Sequence, residues 1–128
     1  MDPLNWKDNI AYIRDFPRAG VLFRDLSPLW SRHWAAFVEA LGKLYSASEW
    51  EEIDIIMGIE ARGFACAGAL AQVYRKGFVM ARKKGKLPSP VASVGYGLEY
   101  AEDVVELQAP HGTMPAPRVL LVDDVLAT

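Results

Sequence analysis

The chain has almost no cysteine. Cys66 is the only one in 128 residues, so an internal disulfide is excluded, in agreement with a reducing compartment. No apolar run reaches the length of a membrane span; the apolar stretch 63–74 is short and carries Gln72. The N-terminal Met-Asp-Pro-Leu-Asn-Trp-Lys lacks the continuous apolar centre of a signal peptide, so a cytoplasmic protein is expected. Charge of one sign is also lacking: 14 Lys and Arg stand against 16 Asp and Glu, for a net charge of −2. That balance argues against general binding to nucleic acid or to an acidic membrane, either of which needs a broad basic surface. There is no internal repeat and no low-complexity tract. What remains is the composition of a soluble globular protein, 52% hydrophobic and 23% charged, long enough for one domain with its own core.

Periodicity divides the chain into helices and strands. Asp2 and Pro3 suit an N-cap and first helical residue, and Trp6, Ile10 and Ile13 share a helical face, so a helix ending near Asp15 is expected ahead of Pro17. Residues 16–30 are punctuated by proline and glycine. Ser31 can cap a second helix, in which Trp34, Phe37, Val38, Leu41, Leu44 and Tyr45 form a stripe that reads as core. Ile53–Met57 reads as a buried strand, followed by a turn at Gly58–Gly63, a helix to about Arg75 stopped by Gly77, and a strand at Phe78–Ala81. That order predicts a right-handed parallel unit. Val91–Tyr100 and Val104–Gln108 are β-like, and a Pro-rich loop over 109–118 leads to a last strand, Val119–Val122. The expected fold class is α/β: an open, mainly parallel sheet with flanking helices and an N-terminal helical cap.

Four segments carry residues suited to chemistry. The run Val119-Leu120-Leu121-Val122 reads as a strand buried on both faces, with Asp123 and Asp124 at the carboxyl end, where ligands of open α/β sheets bind. Successive strand residues point to opposite sides, so both acids cannot hide in the core; they suit sugar hydroxyls or a hydrated magnesium ion. Ala127 and Thr128 then open a turn of the kind that cradles phosphate. In Glu60-Ala-Arg-Gly-Phe64, Gly58 and Gly63 allow a tight turn, and Arg62 offers an anion a planar fork of donors; a plain connection with a solvated arginine uses the same residues. Arg82-Lys-Lys-Gly-Lys86 suits a mobile anion-binding loop, although most charge runs are merely solvated. Glu99, between Leu98 and Tyr100, could be partly desolvated; its proton affinity would then rise until it could exchange a proton with a heterocyclic nitrogen, the alternative being a surface glutamate on a hairpin. Cys66, among Ala and Gly on a helix, reads as a packed small residue.

Taken in order, these segments closely resemble the adenine phosphoribosyltransferase family. The matching pieces are Phe16-Pro-Arg-Ala-Gly-Val-Leu-Phe-Arg-Asp-Leu-Ser-Pro28, Gly58-Ile-Glu-Ala-Arg-Gly-Phe64, Arg82-Lys-Lys-Gly-Lys-Leu-Pro88, Leu98-Glu-Tyr100 and Val119–Thr128. The last resembles the phosphoribosyl pyrophosphate motif of type I phosphoribosyltransferases. The resemblance implies an enzyme of purine salvage that makes AMP and pyrophosphate from adenine and phosphoribosyl pyrophosphate. Magnesium would be carried by the substrate rather than ligated directly, and the assembly would be a homodimer. On this resemblance Leu22 and Arg24 hold the purine, Arg62, Arg82, Lys83 and Lys86 bind pyrophosphate, and Glu99 manages the purine proton. Tyr100 belongs to the lid, Asp123 and Asp124 take the ribose hydroxyls, and Ala127 and Thr128 start the 5′-phosphate loop. One domain over 1–128 is implied, with about 1–35 as a purine-binding cap and about 53–128 as the core sheet with a mobile lid near 82–100.

Departures from the family pattern are Ala19, where proline is frequent, Gly95 and Gly97 in the lid, and the Pro-rich 109–117 loop. The family's Gly-Gly-Thr and its later C-terminal elements are missing after Thr128. A polypeptide truly ending there is expected to be inactive and to self-associate through Val119–Val122. Two other readings use the same fold: a non-catalytic nucleotide-binding regulator, against which Glu99 and the complete basic loop weigh, and a truncated pseudoenzyme.

Overall fold

A hairpin stands where the sequence pattern predicts the first helix. A computed structural model describes residues 5–88, 91–98, 101–108 and 116–125, and the chain falls into two compact units, Met1–Leu44 and Tyr45–Thr128. In the first unit the helical run is a single 3-10 turn, Trp6–Asn9. Strand β1 (Ala11–Arg14) follows and pairs antiparallel with β2 (Leu22–Asp25). The reversal between them is built by local chemistry. Asp15 and Gly20 take left-handed φ values of 55° and 82°, and Gly20 N–H donates to Asp15 Oδ1 at 2.8 Å. Once the chain returns, cross-strand partners satisfy the backbone of 11–14, and this pairing overrides the helical spacing of Trp6, Ile10 and Ile13.

Helix α1 (Ser27–Gly42) starts before the expected cap at Ser31. Asp25 Oδ1 accepts from both the N–H and the hydroxyl of Ser27, at 2.9 and 2.6 Å. Pro28 in the first turn sacrifices no intrahelical bond there. Ser31 lies inside the helix and donates to the Pro28 carbonyl at 3.1 Å. His33, at φ −136° and ψ 31°, kinks the helix. Leu29 and Val38 are buried, whereas Leu44, assigned to the core stripe by its spacing, is 73% exposed beyond the helix end.

The second unit opens with a short helix the periodicity does not announce, α2 (Ala47–Glu52). A reciprocal cap starts it: Glu49 N–H donates to Ser46 Oγ at 3.2 Å and Ser46 N–H to Glu49 Oε2 at 2.6 Å. Its Trp50 is buried, stacked on Tyr74 with ring centroids 3.7 Å apart and planes 4° from parallel.

There follow β3 (Ile55–Ile59), α3 (Gly63–Tyr74), β4 (Gly77–Lys83), β5 (Val91–Leu98), β6 (Ala101–Gln108) and β7 (Val119–Val122). The strands form one sheet in the order β5-β6-β4-β3-β7. Strand β3 pairs parallel with both β4 and β7, and an antiparallel ribbon of β6 and β5 extends the sheet beyond β4. The expected open α/β sheet is present, with its parallel part confined to three strands. Among the described strands β7 lies at the edge, with Val119 and Leu121 exposed, where the branched run predicts a strand buried on both faces. Arg75, in the left-handed region at φ 55°, terminates α3, and Gly77 is already the first residue of β4. The core holds Ile56, Cys66, Ala67, Leu70 and Ala81. Complete burial of Ile56 is worth about 1.5–3 kcal/mol. A Cβ on Gly58 would fall 2.8 Å from both the Ala67 Cβ and the Gly63 carbonyl oxygen, so glycine is what lets α3 lie this close to β3. No helix among the described residues is long and apolar enough to cross a membrane.

Candidate functional site

Because β4, β3 and β7 run parallel, their carboxyl ends lie side by side. This brings together Arg82 and Lys83 at the end of β4, Glu60 and Arg62 after β3, and Asp123 and Asp124 after β7. The turn after β3 sends opposite charges to its two flanks. Toward β4, Glu60 Oε1 accepts from Arg82 Nε at 3.1 Å and from Lys83 N–H at 3.2 Å, and Glu60 Oε2 accepts from Lys86 Nζ at 3.0 Å. Toward β7, Arg62 Nε lies 2.8 Å from Asp124 Oδ2, a buried oxygen with no aligned hydrogen-bond donor among the described residues. The Lys86 ammonium and the other donors on Glu60 hold its carboxyl below the usual carboxylate range.

The basic run is a braced turn rather than a free loop. Arg82 and Lys83 belong to β4, and Lys84 N–H donates to the Val104 carbonyl at 3.1 Å. Glu106, buried on β6, accepts from Gly85 N–H at 2.6 Å and from the Ser93 hydroxyl at 3.1 Å. Thus two carboxylates grip the turn, Glu60 from the turn after β3 and Glu106 from β6. Sequence reasoning passes over both. Glu60 sits inside the motif read for its arginine, and Glu106 is an acid set between the apolar residues Val104, Val105 and Leu107 of β6; that position is the signal that could have found it.

On the acidic flank the approach is tight. A Cβ on Gly63 would fall 2.7 Å from the Val122 carbonyl oxygen and 3.3 Å from both Asp123 Cα and Asp123 Oδ1. Asp123 Oδ1 accepts from Asp124 N–H at 2.8 Å. Partial burial raises the proton affinity of Asp123, and the side chain of Asp124 adds to the rise. Burial first, then Asp124 and Asp123, push the Cys66 thiol up to about 11, so it stays protonated at neutral pH and is a packed residue rather than a nucleophile.

The opposite shifts of Asp123 and Glu60 set a sign for pH dependence. A raised pKa in the fold means that ionised Asp123 opposes folding at neutral pH, and the penalty vanishes as pH falls below its usual 3.8. Glu60 acts the other way, contributing stability above its usual 4.5 that is lost on acidification. Asp123→Asn keeps an acceptor for Asp124 N–H and removes the charge. The variant is expected to melt above the parent at pH 7 and together with it below pH 3.8, in melting curves recorded across that range.

In the first unit Leu22, Arg14, Asp15, Gly20 and Val21 line a shallow cleft of about 420 Å³ beside the hairpin turn. Leu22 is half-exposed, and Arg24 lies two positions along β2, paired with Tyr12. The cleft adds Arg14 and Asp15 to the residues the sequence singles out. Glu99, Tyr100, Ala127 and Thr128 lie outside the described residues.

An open α/β sheet that gathers cations and carboxylates at the carboxyl ends of its parallel strands belongs to the class of α/β proteins that bind ligands there. No family model matches the chain. It is 47% identical over 116 residues to the adenine phosphoribosyltransferase of Hydrogenovibrio crunogenus, covering 91% of this chain and 65% of that protein. Identity to the adenine phosphoribosyltransferase of Acidiphilium cryptum is 44% over 125 residues, covering 98% and 72%. The crystal structure of the Giardia lamblia enzyme complexed with 9-deazaadenine superposes with a TM-score of 0.81 at 37% identity, over 99% of this chain and 70% of that one. The chain belongs to the adenine phosphoribosyltransferase family and spans about two thirds of the length of these relatives.

Proposed function

We propose that the protein transfers the phosphoribosyl group from phosphoribosyl pyrophosphate to adenine, giving AMP and pyrophosphate. The observation that carries this reading is the two-flanked site at the carboxyl ends of β4, β3 and β7, with Arg82 and Lys86 on one side and Asp123 and Asp124 on the other. Departure of pyrophosphate builds negative charge on the leaving group and positive charge on the ribose ring. Fixed cations at the first and carboxylates at the second stabilise that separation more than they stabilise the ground state. In this reading Arg62, Arg82, Lys83 and Lys86 take the pyrophosphate, Asp123 and Asp124 the ribose hydroxyls, and Ala127 and Thr128 begin the 5′-phosphate turn. Leu22 and Arg24 hold the base on an N-terminal cap, Glu99 exchanges its proton, and Tyr100 closes over it.

Magnesium would arrive on the diphosphate and neutralise part of its charge. Among the described residues no group of three or more His, Cys, Asp or Glu gathers to hold an ion. Asp123 and Asp124 supply hard oxygen donors, which suit a hydrated ion brought by the substrate. The test of the reading is nucleobase choice in the full-length protein. Adenine should yield AMP, and hypoxanthine and guanine should be poor substrates. Comparable turnover with hypoxanthine would overturn the assignment.

A further inference from the structure

We propose that Glu60 is a positioning residue for pyrophosphate, holding Arg82 and Lys86 from behind so that their remaining donors are aimed before the anion arrives. The inference rests on the reading of this turn as the pyrophosphate site. Each cation meets Glu60 through one nitrogen contact, Arg82 Nε at 3.1 Å and Lys86 Nζ at 3.0 Å. The terminal nitrogens of Arg82 and the other hydrogens of Lys86 are not used in those contacts. The carboxylate is itself anchored. Its side chain is only 8% exposed, Glu60 N–H donates to the Ala81 carbonyl at 2.9 Å, and Oε1 also receives Lys83 N–H. Glu106 holds the same turn at Gly85 from the other side. Long cationic side chains otherwise lose much rotational freedom on binding an anion, and a site that has already fixed them avoids that cost.

The sign of one substitution separates this role from simple charge balance. If Glu60 only neutralised nearby cations, removing its charge would strengthen anion binding. As a positioning residue it does the opposite. In the full-length protein, calorimetric titration with magnesium pyrophosphate should show affinity about tenfold weaker for Glu60→Gln, the low end of what groups that orient binding residues contribute. Glu60→Asp keeps the charge but is one methylene too short to reach both cations, and should weaken binding by a smaller factor. In a Lys86→Met background the effect of Glu60→Gln should shrink, because the two act through one contact. Unchanged or tighter binding by Glu60→Gln would overturn the proposal. Should that variant not fold, unchanged binding by Glu60→Asp would overturn it equally. A parent protein that does not bind pyrophosphate would overturn the pyrophosphate reading and this inference with it, whereas a binding parent with an indifferent Glu60 would remove the inference alone.

Discussion

Glu99→Gln in the full-length protein is expected to lower AMP formation by about 100-fold or more, the usual scale for a positioned general acid or base. Adenine gains a ribosyl bond at a ring nitrogen during transfer, so a proton must be managed on the base. A glutamate between Leu98 and Tyr100 is the candidate in this chain for that task. Glutamine preserves size and hydrogen bonding but cannot exchange the proton. Affinity for phosphoribosyl pyrophosphate should change little, because the anchors proposed for it, Arg62, Arg82, Lys83 and Lys86, stand on other segments. Steady-state kinetics with adenine and phosphoribosyl pyrophosphate as the varied substrates decides it. A turnover equal to that of the parent would overturn the proton-exchange role of Glu99.

Two glycines of α3 should answer alanine with opposite signs. Alanine is favoured over glycine in a helix by about 1 kcal/mol. At Gly68 nothing lies within 4 Å of the added methyl, so Gly68→Ala should stabilise the protein by up to that amount. At Gly63 the same methyl meets the Val122 carbonyl oxygen at 2.7 Å, a backbone atom that can move only with β7. Overpacking of this kind costs about 1–3 kcal/mol and outweighs the helical preference. Gly63→Ala should therefore be destabilised, and by shifting β7 it should also part Asp124 from Arg62. Urea midpoints measure the first effect and pyrophosphate titration the second. A Gly63→Ala protein as stable as Gly68→Ala would show that β7 does not sit against the start of α3.

Legibility in the sequence followed the range of the interaction. The β3–α3–β4 order could be read because Gly58, the small residues of α3 and the apolar strands act within a short span. The hairpin over 11–25 could not, since four residues of strand are too few to outvote a helical spacing until their partner is known. The start of α1 was written in Pro28 rather than Ser31, and the Ser46-Ala-Ser-Glu49 cap is a short-range signal passed over beside the more conspicuous stripe before it. At the site, cations and carboxylates announced themselves as runs. Glu60 did not, because its meaning depends on Arg82 and Lys86 arriving from β4 and the turn that follows it.

The face-to-face stack of Trp50 on Tyr74 gives the second unit an optical signature of its own. Trp6, Trp30 and Trp34 all belong to the first unit, so Trp50 is the only indole in residues 45–128. Excitation at the red edge of the absorption band, with those three replaced by phenylalanine, confines emission to a buried ring lying 3.7 Å from a phenol. The intensity and near-ultraviolet dichroism of that ring then follow the docking of α2 against α3, and report unfolding of the sheet unit separately from the hairpin and helix that precede it.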